Sequence, residues 1–424
     1  MDPSNARRSF RPPGETGNAE VGKKELIKKR MARTKEKNVN ASAVPMGHGL
    51  EKTAADRPDD PADDLSDRLA HLQSLVHREH QIRWERFGFS PEWSFKLAPL
   101  EAEGENAAKY LATFFSKEGK LRRTVFLKQY HHPQIDRAAV ENEFCGIQIT
   151  QRAFQPTERF RVPQPYSCLP DEKILFMEYC PSVSLKKGLF RPLRFSRFYI
   201  SDRDRKGLLG HMAESGRLLS HFQRIPVDRH PAAEKATAEG IILRYEKQLL
   251  RHLRICQKAG FPEGLVRRIQ RAVFDRLESQ SPFPSMTLQH SDFAPWNLMI
   301  GDRHLYLADF QNFTTGFSSY DAAFFHCALD LLFRYRTIDR ALLSQMQSVF
   351  LEAYLNGRGE AGSDRGRGTA LAQALPLFEV FRLMHMTYFA QSIFCSPPGS
   401  FYQSLYAAPF RRFLVDWFHQ HLEG

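Results

Sequence analysis

His290, Asp292, Asn297 and Asp309 lie in Thr287–Asp321, TLQHSDFAPWNLMIGDRHLYLADFQNFTTGFSSYD, and have the types and order to move a phosphoryl group. Phosphoryl transfer is mostly positioning and charge neutralisation. A carboxylate must accept a hydrogen bond from the attacking hydroxyl, and Asp292 is the candidate base. An amide and a second carboxylate must hold a hard cation on nucleotide phosphates. Asn297 and Asp309 suit Mg2+, which takes oxygen ligands and keeps several waters. A lone H-x-D-x-x-x-x-N arises by chance in ordinary loops. The spaced Asp309 and the later Gly316…Tyr320-Asp321 set this one apart.

The intervening residues predict how the pair meets. Leu298-Met299-Ile300 reads as a short apolar strand, Gly301-Asp302 as a turn, and Leu305-Tyr306-Leu307 as the return strand. Such a hairpin brings Asn297 beside Asp309, where both could share a metal ion.

HSDFAPWNLMI…LYLADFQNFTTGFSSYDAAFF resembles the aminoglycoside phosphotransferase and choline kinase group, closely over His290–Phe325 and diffusely from about Ser94 onward. Ser291 stands where members usually have Gly, and Gln311 where they have Glu. The resemblance implies an α+β, bilobal protein-kinase-like fold, with a small β-rich N-lobe and a large helical C-lobe. It implies ATP and Mg2+ as cofactors and a small-molecule hydroxyl acceptor: a metabolite, a sugar or a lipid-linked head group. His290 takes a supporting role in the catalytic loop, with no proton transfer.

The same resemblance assigns upstream roles. The strand around Thr124–Leu127 ends at Lys128, where kinases grip the α- and β-phosphates. The predicted helix Asp136–Gln151 carries Glu141 and Glu143. Glu143, which precedes the apolar Phe144-Cys145-Gly146-Ile147, is the preferred partner of Lys128. Ile174–Tyr179 matches the hinge whose backbone binds adenine, with Met177 and Tyr179 as candidates. Between the first two strands stands Glu103-Gly104-Glu105-Asn106 in place of a Gly-rich phosphate loop.

Taken in order, residues 1–64 are poor in large apolar side chains and are expected to form a disordered tail. Its basic run Lys23–Lys37 has two readings, a solvated tail or a contact with an anionic membrane or nucleic acid. Residues 65–93 form a helical lead-in, with Leu65, Leu69, Leu72 and Val76 at helical spacing. Residues 94–180 form the nucleotide-binding N-lobe. Residues 181–424 form the helical C-lobe, in which Asp321 is expected to cap a helix and 357–368 to be a loop.

Leu185–Lys206 interleaves eight cations with Phe190, Phe195, Phe198 and Tyr199. It suits either an anionic ligand or a surface piece with its aromatics turned to the core. The chain of 424 residues carries a formal charge of +12. The tail holds 13 Lys+Arg and 11 Asp+Glu, a net of +2, so about +10 lies in the folded part. That balance speaks against a polycationic acceptor.

Six scattered cysteines without a C-x-x-C pair fit a reducing compartment, and no apolar run has the length of a membrane span. The expected location is cytoplasmic, and no signature fixes the oligomeric state. The competing reading is a pseudokinase-like module that recruits an anionic partner.

Overall fold

The computed structural model describes residues 61–100, 107–120, 122–133, 135–155, 157, 159–231, 236–279, 286–358, 364–395 and 401–423. All belong to one compact unit, Arg57–Gly424. Residues 1–60, most of the expected tail with its basic run, lie outside the described residues, as does the Gly104 loop.

The small lobe is a five-stranded antiparallel sheet. Its strands are β1 (Ser94–Pro99), β2 (Ala107–Phe115), β3 (Arg122–Tyr130), β5 (Pro165–Leu169) and β6 (Ile174–Glu178), in the order β1-β2-β3-β6-β5. Successive side chains on a strand point to opposite faces, and the sequence uses that alternation to build two cores. Val125 and Leu127 of β3, with Ile174 and Phe176 of β6, face outward. There helix α1 (Pro61–Arg83) seals the sheet with Leu72, Leu75 and Val76, joined by Trp84 and Phe89. Trp84 donates its indole N–H to the Ser167 hydroxyl at 3.1 Å.

Leu175 and Met177 alternate to the inner face and join the main core. The same parity turns Lys128 inward, in register with Leu175. Lys128 does not end its strand. β3 runs on to Tyr130, because Gln129 and Tyr130 keep partners on both neighbouring strands or at their ends.

Helix α2 (Arg137–Phe154) follows, capped by the Asp136 side chain accepting the Ala139 N–H at 2.9 Å. Val140, Glu143, Ile147, Thr150 and Phe154 are its buried face, spaced three and four apart. After β4 (Phe160–Arg161) and β7 (Val183–Ser184) the large lobe is helical. It contains α3 (Leu185–Leu193), α4 (Asp202–Phe222), α5 (Ala238–Lys258), α6 (Glu263–Ser279), α7 (Ser319–Asp330), α8 (Arg340–Arg358), α9 (Asp364–Cys395) and α10 (Phe401–Leu422). Helix α7 is buried around nearly its whole circumference, Asp321 and Asp330 included.

The expected hairpin is present as β9 (Leu298–Ile300) and β10 (Leu305–Leu307), antiparallel with Leu307 opposite Leu298. β8 (Met286–Gln289) pairs with β11 (Thr314–Phe317) just outside it. The segment expected as a loop over 357–368 is helical through Arg358 and again from Asp364. Among the described residues no helix is long and apolar enough to cross a membrane.

Candidate active site

The candidate segment is a turn strung between two short sheets. β8 delivers the chain to His290, the turn carries Asp292 to Asn297, and β9–β10 returns it to Asp309. The hairpin closes at its base, where the Ala308 N–H donates to the Asn297 carbonyl at 3.0 Å. Asn297 and Asp309 thus stand on adjacent residues of the paired chain ends.

His290 is fully buried, with Nε2 3.0 Å from the Ala308 carbonyl and its ring 4.8 Å from that of Phe310. Burial pushes its pKa down to about 4, against the opposing pull of Asp309. The neutral ring braces the hairpin base.

Asp321 does not cap its own helix. It lies in the first turn of α7, fully buried, and reaches back to the turn that carries Asp292. One carboxylate oxygen accepts the His290 N–H at 2.9 Å and the other the Ser291 N–H at 2.8 Å. Gln223 supports this arrangement. Its amide donates to the Ser318 carbonyl at 2.9 Å and accepts from the Tyr354 hydroxyl at 2.8 Å. The anchored turn holds Ser291 at φ +64°, a left-handed conformation that a side chain disfavours. Glycine suits that position, which explains the residue usual in the resembling group. Asp309 is also left-handed, at φ +67°.

Asp292 accepts the Asn297 amide at 2.8 Å on its carboxylate, and the same amide also donates to the Asp292 carbonyl at 2.8 Å. With its nitrogen so engaged, Asn297 has its side-chain oxygen as the atom to offer a cation. Burial and the nearby Asp309 charge push Asp292 up to about 7, opposed by hydrogen bonds from Asn297 and Trp296. A carboxyl group balanced near neutrality is well matched to proton transfer.

Lys128 joins the two lobes. Its ammonium lies 3.0 Å from Glu143 on α2 and 2.7 Å from Asp309. Burial alone would lower its pKa, but Asp309 and Glu143 together hold it above the ordinary lysine range. Glu143 also accepts from the Tyr130 hydroxyl, and burial pushes it up to about 7 despite the lysine beside it. Asp309, with 39% of its side chain accessible, is held below the usual carboxylate range. Burial would raise it; Lys128 overrides that.

Of the two glutamates on α2, Glu141 is exposed and pairs with Arg137 at 2.9 Å, whereas Glu143 faces Lys128. Two residues without an assigned role in the sequence fix the helix there. Asn142 donates to the Phe313 carbonyl at 2.7 Å. Gly146 allows the helix onto the Asp309–Phe313 segment, since a Cβ at 146 would sit 2.8 Å from the Phe313 ring. Both are visible in the sequence only as a polar residue and a glycine within a helical stretch.

Met177 and Tyr179 lie on β6 and just beyond it, beside the strand of Lys128 and apart from the charged cluster. Met177 is buried opposite Phe126. The Tyr179 N–H already donates to the Thr124 carbonyl at 3.2 Å, and the Glu178 N–H to the Gln164 carbonyl at 2.8 Å.

The model of the phosphotransferase enzyme family (APH) matches residues 104–368. No curated protein matches the sequence. Among solved structures, a glucosamine kinase is 15% identical, covering 81% of this chain and 84% of that one at a TM-score of 0.49. A choline kinase from Cryptosporidium parvum is 11% identical, covering 83% and 94% at 0.48. An amicoumacin kinase in complex with AMP-PNP, Ca2+ and Ami is 15% identical, covering 82% and 96% at 0.44.

Proposed function

The chain belongs to the phosphotransferase enzyme family and is a phosphotransferase acting on alcohol groups; from that premise we propose that it moves the γ-phosphate of ATP to a hydroxyl of a small molecule, with Asp292 as base. The observation that carries the reading is the arrangement of Lys128, 3.0 Å from Glu143 and 2.7 Å from Asp309, together with the Asp292–Asn297 pair on the same hairpin turn.

In this reading Lys128 grips the nucleotide phosphates, and Glu143 keeps its ammonium aimed into the cleft. Asn297, through its side-chain oxygen, and Asp309 would hold Mg2+, which supplies neutralisation of phosphate charge. Two oxygen donors with phosphates and water completing the shell fit that ion. Asp292 accepts the proton of the attacking hydroxyl and orients it toward the phosphorus. His290 and Asp321 hold the turn still. Met177 and Tyr179 flank the adenine. With the Tyr179 N–H engaged by Thr124, the hinge donor falls to a residue further along.

The test is thermal stabilisation by ATP with and without Mg2+, together with ADP release. Wild type gains a magnesium-dependent shift, Asp309→Ala loses it, and Asp292→Ala keeps it while ADP release with an acceptor falls at least about a thousandfold. Turnover surviving Asp292→Ala rules out its role as base. The alternative, a recruiting module without catalysis, draws on the exposed cations of residues 186–197. Absence of any shift with millimolar ATP would favour it.

A further inference from the structure

Phosphoryl transfer leaves the stretch after β7 unused. On α3 the buried positions are Leu185, Leu189 and Leu193, so a single stripe of the helix is docked. The remaining surface and the turn beyond carry Lys186, Lys187, Arg191, Arg194 and Arg197, with no acidic residue before Asp202. The aromatics between them do not face the core. Phe195, Phe198 and Tyr199 are 55%, 74% and 78% exposed.

A tight turn carries these three residues. The N–H groups of Phe198 and Tyr199 both donate to the Phe195 carbonyl, at 2.9 and 3.2 Å. Behind them, Lys186, Lys187, Arg191 and Arg194 surround Phe190 and Phe195 in a surface cavity of about 480 Å³. None of those four cations has an ion-pair partner among the described residues. The neighbouring segment adds to the positive field. Arg197 donates to the Arg336 carbonyl at 3.2 Å, Arg336 and Arg340 are exposed, and the acid beside them, Asp339, lies 3.8 Å from Arg205.

We propose that this face, Lys186–Tyr199, docks the protein on an anionic lipid bilayer. The cations meet lipid phosphates, and the Phe195–Phe198–Tyr199 turn enters the interface between head groups and acyl chains. The cavity, with charge at its rim and phenyl rings in its wall, matches a phosphate carried on an apolar stem. A nucleic acid would satisfy the cations, but the exposed rings fall on a single turn of chain and not along an extended strand that would track successive bases. The face begins at the catalytic turn itself, because the Lys186 N–H donates to the Pro295 carbonyl at 2.8 Å. A docked bilayer would therefore offer hydroxyls of membrane-borne head groups as acceptors, an extension that rests on the phosphotransferase reading.

Flotation of the full chain with vesicles tests the surface. Phosphatidylglycerol-containing vesicles should bind at least about tenfold more protein than pure phosphatidylcholine. Arg191→Glu with Arg194→Glu should remove most of that binding, at about fivefold or more per cation. Phe198→Ser with Tyr199→Ser should lower it about threefold or more without changing its salt dependence. Equal partition to both vesicles, or binding indifferent to both pairs of substitutions, overturns the proposal. So does a single-stranded oligonucleotide that binds more tightly and competes the vesicles away, or a dimer in light scattering that the aromatic substitutions dissolve. Magnesium–ATP stabilisation is read in the same samples. Flotation without a nucleotide shift refutes the catalytic reading and supports the surface, whereas a shift without flotation overturns the surface alone.

Discussion

Replacing Asp321 with alanine removes both acceptors that hold the turn ahead of Asp292. The His290 and Ser291 N–H groups, bonded at 2.9 and 2.8 Å, would lose their acceptor, the first in a fully buried site and the second in a partly buried one. Each orphaned N–H costs about 1–3 kcal/mol. Part of that loss is recovered, because burial already raises the Asp321 carboxyl to about 6 against its hydrogen bonds, so the native charge sits there at some expense. The net expectation is about 2–4 kcal/mol, or a Tm lower by about 3–5 °C for a unit of this size. Asp321→Asn keeps the volume and one acceptor but turns a donor toward the second N–H, and should fall about midway. The Lys128–Glu143–Asp309 cluster is untouched, so the magnesium–ATP shift persists in both variants. Without its anchors Ser291 relaxes from φ +64°, Asp292 moves, and ADP release drops about a hundredfold. Thermal melts and coupled ADP release measure all three quantities. A variant that melts within about 1 °C of wild type and releases ADP at the wild-type rate refutes the anchor.

Gly146→Ala should destabilise by about 1–3 kcal/mol although alanine is the better helix former, because its Cβ meets the buried Phe313 ring at 2.8 Å. Glu143 lies one turn earlier on the helix, so nucleotide affinity should fall with it; a gain in Tm would show that the ring yields. His385 accepts no proton in the fold, where burial pushes its pKa down to about 3, whereas the unfolded chain takes one up near 6.5. Acid therefore favours unfolding through this group. Glu143, Asp292 and Asp321, all raised, act with the opposite sign, so the difference between wild type and His385→Gln isolates it. That difference should move in the variant's favour by about 1.4 kcal/mol per pH unit below 6.5, and denaturation midpoints giving a flat difference would contradict it.

The chemistry-bearing turn was legible because phosphoryl transfer demands fixed residue types at fixed separations, and because a turn signal at Gly301-Asp302 between two apolar triplets permits little but a hairpin. Glu143 was legible twice over. Beside the resemblance, it shares a helical face with Val140 and Ile147, whereas Glu141 falls on the solvent side. Asp321 was misread for a physical reason. An acid near a helix start ordinarily serves that helix, and nothing local reveals that its carboxylate spans thirty residues back to Ser291. The rings of residues 190–199 were undecidable because the helical stripe Leu185, Leu189, Leu193 ends in an irregular turn, where periodicity has no phase to offer. The adenine hinge was legible as a strand, while which of its N–H groups are already engaged depends on β3 and on the segment before β5.

The segment that matches the family begins at residue 104, yet Leu72, Leu75, Val76, Trp84 and Phe89 precede it and cover Phe114, Val125, Leu127 and Phe176. The stretch that matches the family and the stretch that buries its own sheet face are therefore different lengths. A gene fusion or transplanted module cut at the family boundary would carry a bare aromatic sheet face, prone to association with its own copies. The α1 segment has to travel with the catalytic lobes in any such exchange, as part of their solubility and not as an appendage.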